Sequence, residues 1–75
     1  MLVPGRHYQL RSQIVVLRID DSQKVLGVEV LYPPAEILLA GVAGDARLVH
    51  IVWHETSYLA SETALETRVD MLPDS

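Results

Sequence analysis

The sequence predicts one small α+β domain that is mainly β: an antiparallel sheet, curled or closed into a small barrel, followed by a C-terminal amphipathic helix. Three observations predict it. Leu, Ile and Val supply 25 of 75 residues, ten of them valine, and phenylalanine is absent; branched aliphatics suit a pleated, half-buried surface. Between residues 13 and 55, apolar residues alternate with polar ones or with each other in short runs broken by turn residues, as strands do. Beyond residue 57 the period lengthens, with Leu65, Val69 and Leu72 at helical spacing. The length allows a single domain, residues 1–75. A chain this short buries only about 60% of the surface its unfolded form exposes.

Taken in order, Pro4-Gly5 marks a turn, and Arg6 to Leu10 makes a short first strand. Gln13 to Asp20 is a stronger one, with Val15, Leu17 and Ile19 opposite Ile14, Val16 and Arg18. Asp20-Asp21-Ser22-Gln23-Lys24 is a polar loop of hairpin length. Its partner runs from Val25 to Tyr32, with Leu26, Val28, Val30 and Tyr32 on one face and Gly27 as the candidate bulge. Pro33-Pro34 stops that strand, because proline cannot donate to a ladder. Ala35 to Ala40 fits either a helical turn or a short strand, and 41–45 reads as a loop. Arg47 to Glu55 is a further strand, with Val49, Ile51 and Trp53 on one face and Leu48, His50, Val52 and His54 on the other.

The tail from Ser57 to Met71 lacks glycine and proline, and a helix there can be capped by Ser57 or Ser61 and ended by Pro73. Two features oppose it. Residues 67–72 alternate like a strand, and acids gather toward the C-terminal end, where the helix dipole disfavours them. A tail in strand form would make the protein an all-β barrel. The Pro-Gly opening, the short aromatic-bearing strand and the long hairpin that follows resemble small SH3-like barrels over residues 4–55. The resemblance implies architecture alone and assigns no residue a role.

Composition excludes several classes of function. Without cysteine there is no disulfide, no thiolate chemistry and no Cys-ligated zinc. The longest charge-free stretch, Ile37 to Gly44, is far short of the ~20 residues that span a bilayer. The first six residues hold no basic segment followed by an apolar one, so a soluble, cytoplasmic protein is expected. A net charge of −4 and a pI near 5.1 argue against binding nucleic acid directly, since such affinity comes from neutralised phosphates. Gly41-Val42-Ala43-Gly44 matches the GXXG spacing of some RNA clamps, but Asp45 beside it would repel phosphate.

Catalytic and metal chemistry find equally little. His50 and His54 are four apart with Glu55 just outside the pair, whereas the zinc-peptidase order places the glutamate between the histidines. On a strand the two would stand ~13 Å apart, too far for one ion. No serine sits in a G-x-S-x-G elbow or an S-x-x-K arrangement. No catalytic residue, metal or cofactor is therefore assigned.

Two features point to a protein partner. Residues 55–75 hold five acids against Arg68 alone, so they carry the whole net charge. Glu62, Glu66 and Asp70 would align down a helix, with Asp74 following. Such a row either solvates the surface or imitates a phosphate backbone for a basic groove. The second feature is apolar excess on both faces of the strands: Ile14 and Val16 oppose Val15 and Leu17, while Leu48 and Val52 oppose Val49 and Ile51. A one-sided sheet would show polar residues on one set, so a second subunit or partner is expected to cover what closure leaves open. The candidate contacts are the aromatic anchors Tyr8, Tyr32 and Tyr58 and the carboxylates Glu62, Glu66 and Asp70; Trp53 shares the face of Val49 and Ile51 and reads as core. The expected function is a non-enzymatic interaction module, accessory or regulatory and self-associating. The competing reading is an acidic inhibitor occupying the basic groove of a nucleic-acid-binding protein.

Overall fold

In the computed structural model, which describes residues 2–43 and 47–73, the strands are β1 (His7–Leu10), β2 (Ile14–Ile19), β3 (Val25–Leu31), β4 (Glu36–Ala43), β5 (Leu48–Trp53), β6 (Thr56–Ser61) and β7 (Val69–Met71). One short helix, α1 (Glu62–Glu66), separates the last two. These strands pair antiparallel throughout the described residues. They form one sheet of order β3-β2-β6-β5-β4-β1-β7, with β3 and β7 at its edges. The chain is therefore mainly β, as expected, but the sheet is not closed into a barrel.

The period-two pattern sets which residues face inward. Ile14 and Val16 of β2, Leu31 of β3, Ile37 and Leu39 of β4, Val49 and Ile51 of β5, and Tyr58 and Ala60 of β6 meet in one buried cluster. Tyr8 and Leu10 of β1, Leu65 of α1 and Val69 of β7 complete it. All seven strands turn one face to the same core, so the sheet must curl around it. Two bulges help the strands bend. Arg18 pairs with Gly27 and Ile19 with Val25, leaving Leu26 extra beside the glycine. Leu39 pairs with Ile51 and Gly41 with His50, leaving Ala40 extra.

The β2–β3 hairpin turns on Asp20. Its carboxylate accepts hydrogen bonds from the Ser22 and Lys24 N–H groups, both at 2.9 Å, and from the Ser22 hydroxyl at 2.8 Å. Those donors, the Lys24 amide first and then the Ser22 hydroxyl, hold the Asp20 carboxyl below its ordinary pKa of 3.8. Between β5 and β6 the turn is only His54-Glu55, since Trp53 pairs directly with Thr56. Both turn residues have positive φ, 50° and 64°, the geometry that two-residue hairpins favour and that usually calls for Asn-Gly.

The tail departs from the expected amphipathic helix. Residues 56–61 are a strand that lies between β2 and β5, and Tyr58, Leu59 and Ala60 are all buried. A residue run hidden on both faces carries no clean period, which is why its strand character was hard to read. Ser61 does cap the helix, its hydroxyl accepting from the Ala64 N–H at 3.3 Å, but α1 makes little more than one turn. It ends once Leu65 is buried, and Val69–Met71 returns to pair with β1 as Tyr8↔Met71 and Leu10↔Val69. Residues 41–43, expected as loop, continue β4, and 35–40 resolves as strand rather than helical turn from Glu36 onward. Gly44, Asp45 and Asp74 lie outside the described residues.

Candidate protein-interaction site

The second face of the sheet is apolar and uncharged across three strands. In register, Val15 stands opposite Val30, and Leu17 lies between Val28 on β3 and Leu59 on β6. Ile19 and Leu59 are buried at 4% and 8% exposure, yet they stand outside the main core. Around them the aliphatic side chains open to water: Val28 is 66% exposed, Val15 61%, Leu26 53% and Val30 37%. His50 continues the same face on β5, opposite Leu59, and its buried Nε2 has no hydrogen-bond partner among the described residues. The Arg18–Glu29 ion pair, Nε to Oε2 at 3.3 Å, starts from the opposite, inward side of these strands.

This surface ends at an open strand. Among the described residues β3 pairs with β2 alone and forms one edge of the sheet. It is seven residues long, VLGVEVL, with no proline or lysine and Glu29 as its one charge. Edge strands are protected by bulges, inward-pointing charges, shortness, lysine or proline; β3 has the bulge at Leu26 and the inward Glu29 but is neither short nor broken by lysine or proline. The other edge has that protection: β7 is three residues long, and its Asp70 pairs with Arg11 at 3.4 Å.

A second surface lies at the ends of the strands, an open groove of about 500 Å³. Tyr32, Pro34, Glu36, Trp53 and His54 line it. The positive-φ turn sets the His54 ring on the Trp53 ring, centroids 4.1 Å apart and 17° from parallel. Tyr32 is 62% exposed, as an interface anchor must be. Trp53 is half-buried against the core, in keeping with the face expected of it.

The other sequence-selected residues are scattered. Tyr8 and Tyr58 are core, each 3% exposed, and the Tyr8 hydroxyl accepts from the Val3 N–H at 2.7 Å; neither offers a surface to a partner. Glu62 and Glu66 lie on α1, but Asp70 lies on β7, so no helix carries the three carboxylates in a row. The arginines turn to the protein itself: Arg11 to Asp70, Arg18 to Glu29, and Arg6 to the Leu72 carbonyl at 3.4 Å. His50 sits in β5 and His54 in the following turn, and among the described residues no group of three or more His, Cys, Asp or Glu could hold a metal ion. No helix among them is long and apolar enough to cross a membrane. The exposed aliphatic residues of this face, Val15, Leu26, Val28 and Val30, were not among those selected. Their signal was the two-faced apolar pattern, which was read correctly but assigned to aromatic anchors.

Comparison with protein-family models, curated proteins and solved structures finds no match to this chain.

Proposed function

We propose that this protein is a non-enzymatic interaction module, accessory or regulatory in role, that works as a self-associated unit. One observation carries the reading: an uncharged aliphatic face, with Val15 and Val28 each more than 60% exposed, beside a sheet edge seven residues long. Contiguous apolar surface of this kind marks association sites. A cytoplasmic setting and an SH3-like architecture of the curled sheet belong to the same proposal, supported by the absence of cysteine and by the short antiparallel strands with tight hairpins. The acidic-inhibitor reading gains no support from a carboxylate set divided between α1 and β7.

Size-exclusion chromatography with light scattering, at low and high salt, tests it. A dimer or larger species at both is expected, because apolar burial is weakly screened. A monomer at every concentration, or a complex that dissociates as salt rises, would overturn it.

A further inference from the structure

Resting on that reading, we infer that the partner is a second copy of this chain, joined through β3 to β3 in an antiparallel two-fold pair centred on Val28. The edge supplies the first reason: a free strand of seven residues leaves a row of N–H and C=O groups unpaired, and adding a strand satisfies them. A closed dimer also follows from symmetry, because a two-fold places the same strand against itself. The strand supplies the register. β3 runs from Val25 to Leu31, so only pairing about its midpoint, Val28, engages its whole length. That register sets Val28 against Val28 and Leu26 against Val30 of the second copy. Side chains exposed at 66%, 53% and 37% thereby cover one another, and the outer faces of the two sheets become one.

The opposite face of the same strand is complementary in charge and shape. Centring on Val28 brings Gly27 of one copy opposite Glu29 of the other. Gly27 carries no side chain, and a Cβ built there would meet only Arg18, its Nη2 at 4.0 Å. Arg18 lies opposite Gly27 within the β2–β3 hairpin and already holds Glu29 at 3.3 Å. Each Arg18 therefore stands over the position that the second copy's Glu29 would reach. The Glu29 Oε2, buried and without a hydrogen-bond partner among the described residues, gains a second guanidinium beside it. A larger residue at 27 or a lysine at 28 would remove this fit.

The chain has no cysteine, so single introduced cysteines report the register directly. Opposed residues of an antiparallel pair have Cα atoms about 4.5–5.5 Å apart, inside the 4.4–6.8 Å range of disulfides. Under mild oxidation at micromolar protein, Val28→Cys is expected to cross-link to itself on the order of a thousandfold faster than Val15→Cys, the ratio of a millimolar effective concentration to a micromolar one. Leu26→Cys and Val30→Cys are expected to link to each other when mixed but not each to itself, since like positions would lie ~13 Å apart along the strands. Val28→Lys, folded by circular dichroism, is expected to elute as a monomer. If the unmodified chain scatters as a dimer while Val28→Cys links no faster than Val15→Cys, the β3 pairing is wrong and self-association stands. If the unmodified chain is a monomer at all concentrations, both are wrong.

Discussion

At the scale of single residues, the core and one turn make separate predictions. Leu39 and Ile51 are opposed across β4 and β5 and both fully buried. Leu39→Ala removes side-chain atoms where the surroundings cannot close over the gap, a change that costs about 2–5 kcal/mol. A domain of this size has little stability in reserve, so urea denaturation of Leu39→Ala is expected to show a sharply lowered midpoint or an unfolded chain at 25 °C. Asp20 predicts a pH dependence. Its folded pKa lies below 3.8 because the Lys24 and Ser22 groups donate to the carboxylate, so the ionised form favours the fold. That contribution is present above the ordinary carboxylate pKa and is lost as pH falls through the lower, folded value. Asp20→Asn is therefore expected to lower the urea midpoint at neutral pH, with the gap to the parent protein closing below pH 3.8. A gap that does not change with pH would show that shape rather than charge holds the turn.

At the scale of elements, the β5–β6 hairpin holds two residues where their side chains are disfavoured. His54 and Glu55 both have positive φ, which costs a residue with a Cβ roughly 1–2 kcal/mol. Glycine there relieves the strain but adds freedom to the unfolded chain, worth about 0.4–1 kcal/mol against it. Glu55→Gly is thus expected to stabilise the protein by roughly 0.5–1 kcal/mol, read as a raised urea midpoint at unchanged slope. Retaining His54 at such a turn keeps its imidazole on Trp53, at the rim of the groove that Tyr32 also lines. The strand-helix-strand tail shows how an element's neighbours override its own pattern. Ser61 capped a helix as its residue type allows, yet the helix stopped after Glu66 because β1 offered Val69 a paired and buried place.

At the scale of the whole molecule, a radius of gyration of 11.2 Å matches the roughly 11 Å expected of a folded chain this long. An open seven-stranded sheet reaches it only by curling, which spends one face of every strand on the core and leaves the convex face of β2 and β3 outward. If a second copy pairs along the β3 edge of that face, folding and association are linked, and stability rises with protein concentration. The thermal midpoint is accordingly expected to climb by several degrees between micromolar and near-millimolar protein, and to lose that dependence in Val28→Lys. A midpoint independent of concentration in the parent protein would contradict the linkage.

Much of the fold was legible in the residues themselves. The alternation of β2, β3 and β5, the Asp20 hairpin, the disruption beside Gly27 and the two-faced apolar excess are local patterns, and local patterns follow from backbone geometry. The site was half legible: Tyr32 is exposed as expected, but Tyr8 and Tyr58 are core and Val28 carries the open surface. No local pattern shows which strand ends a sheet, because the order β3-β2-β6-β5-β4-β1-β7 is set by contacts distant in sequence. Tyr58 is buried because β6 is central, and Val28 is exposed because β3 is terminal. The sequence by itself determined that this protein is β-rich and has more apolar surface than one sheet face can hide. Tertiary structure decided where the excess lies, since only the pairing of remote strands distinguishes an edge from a centre.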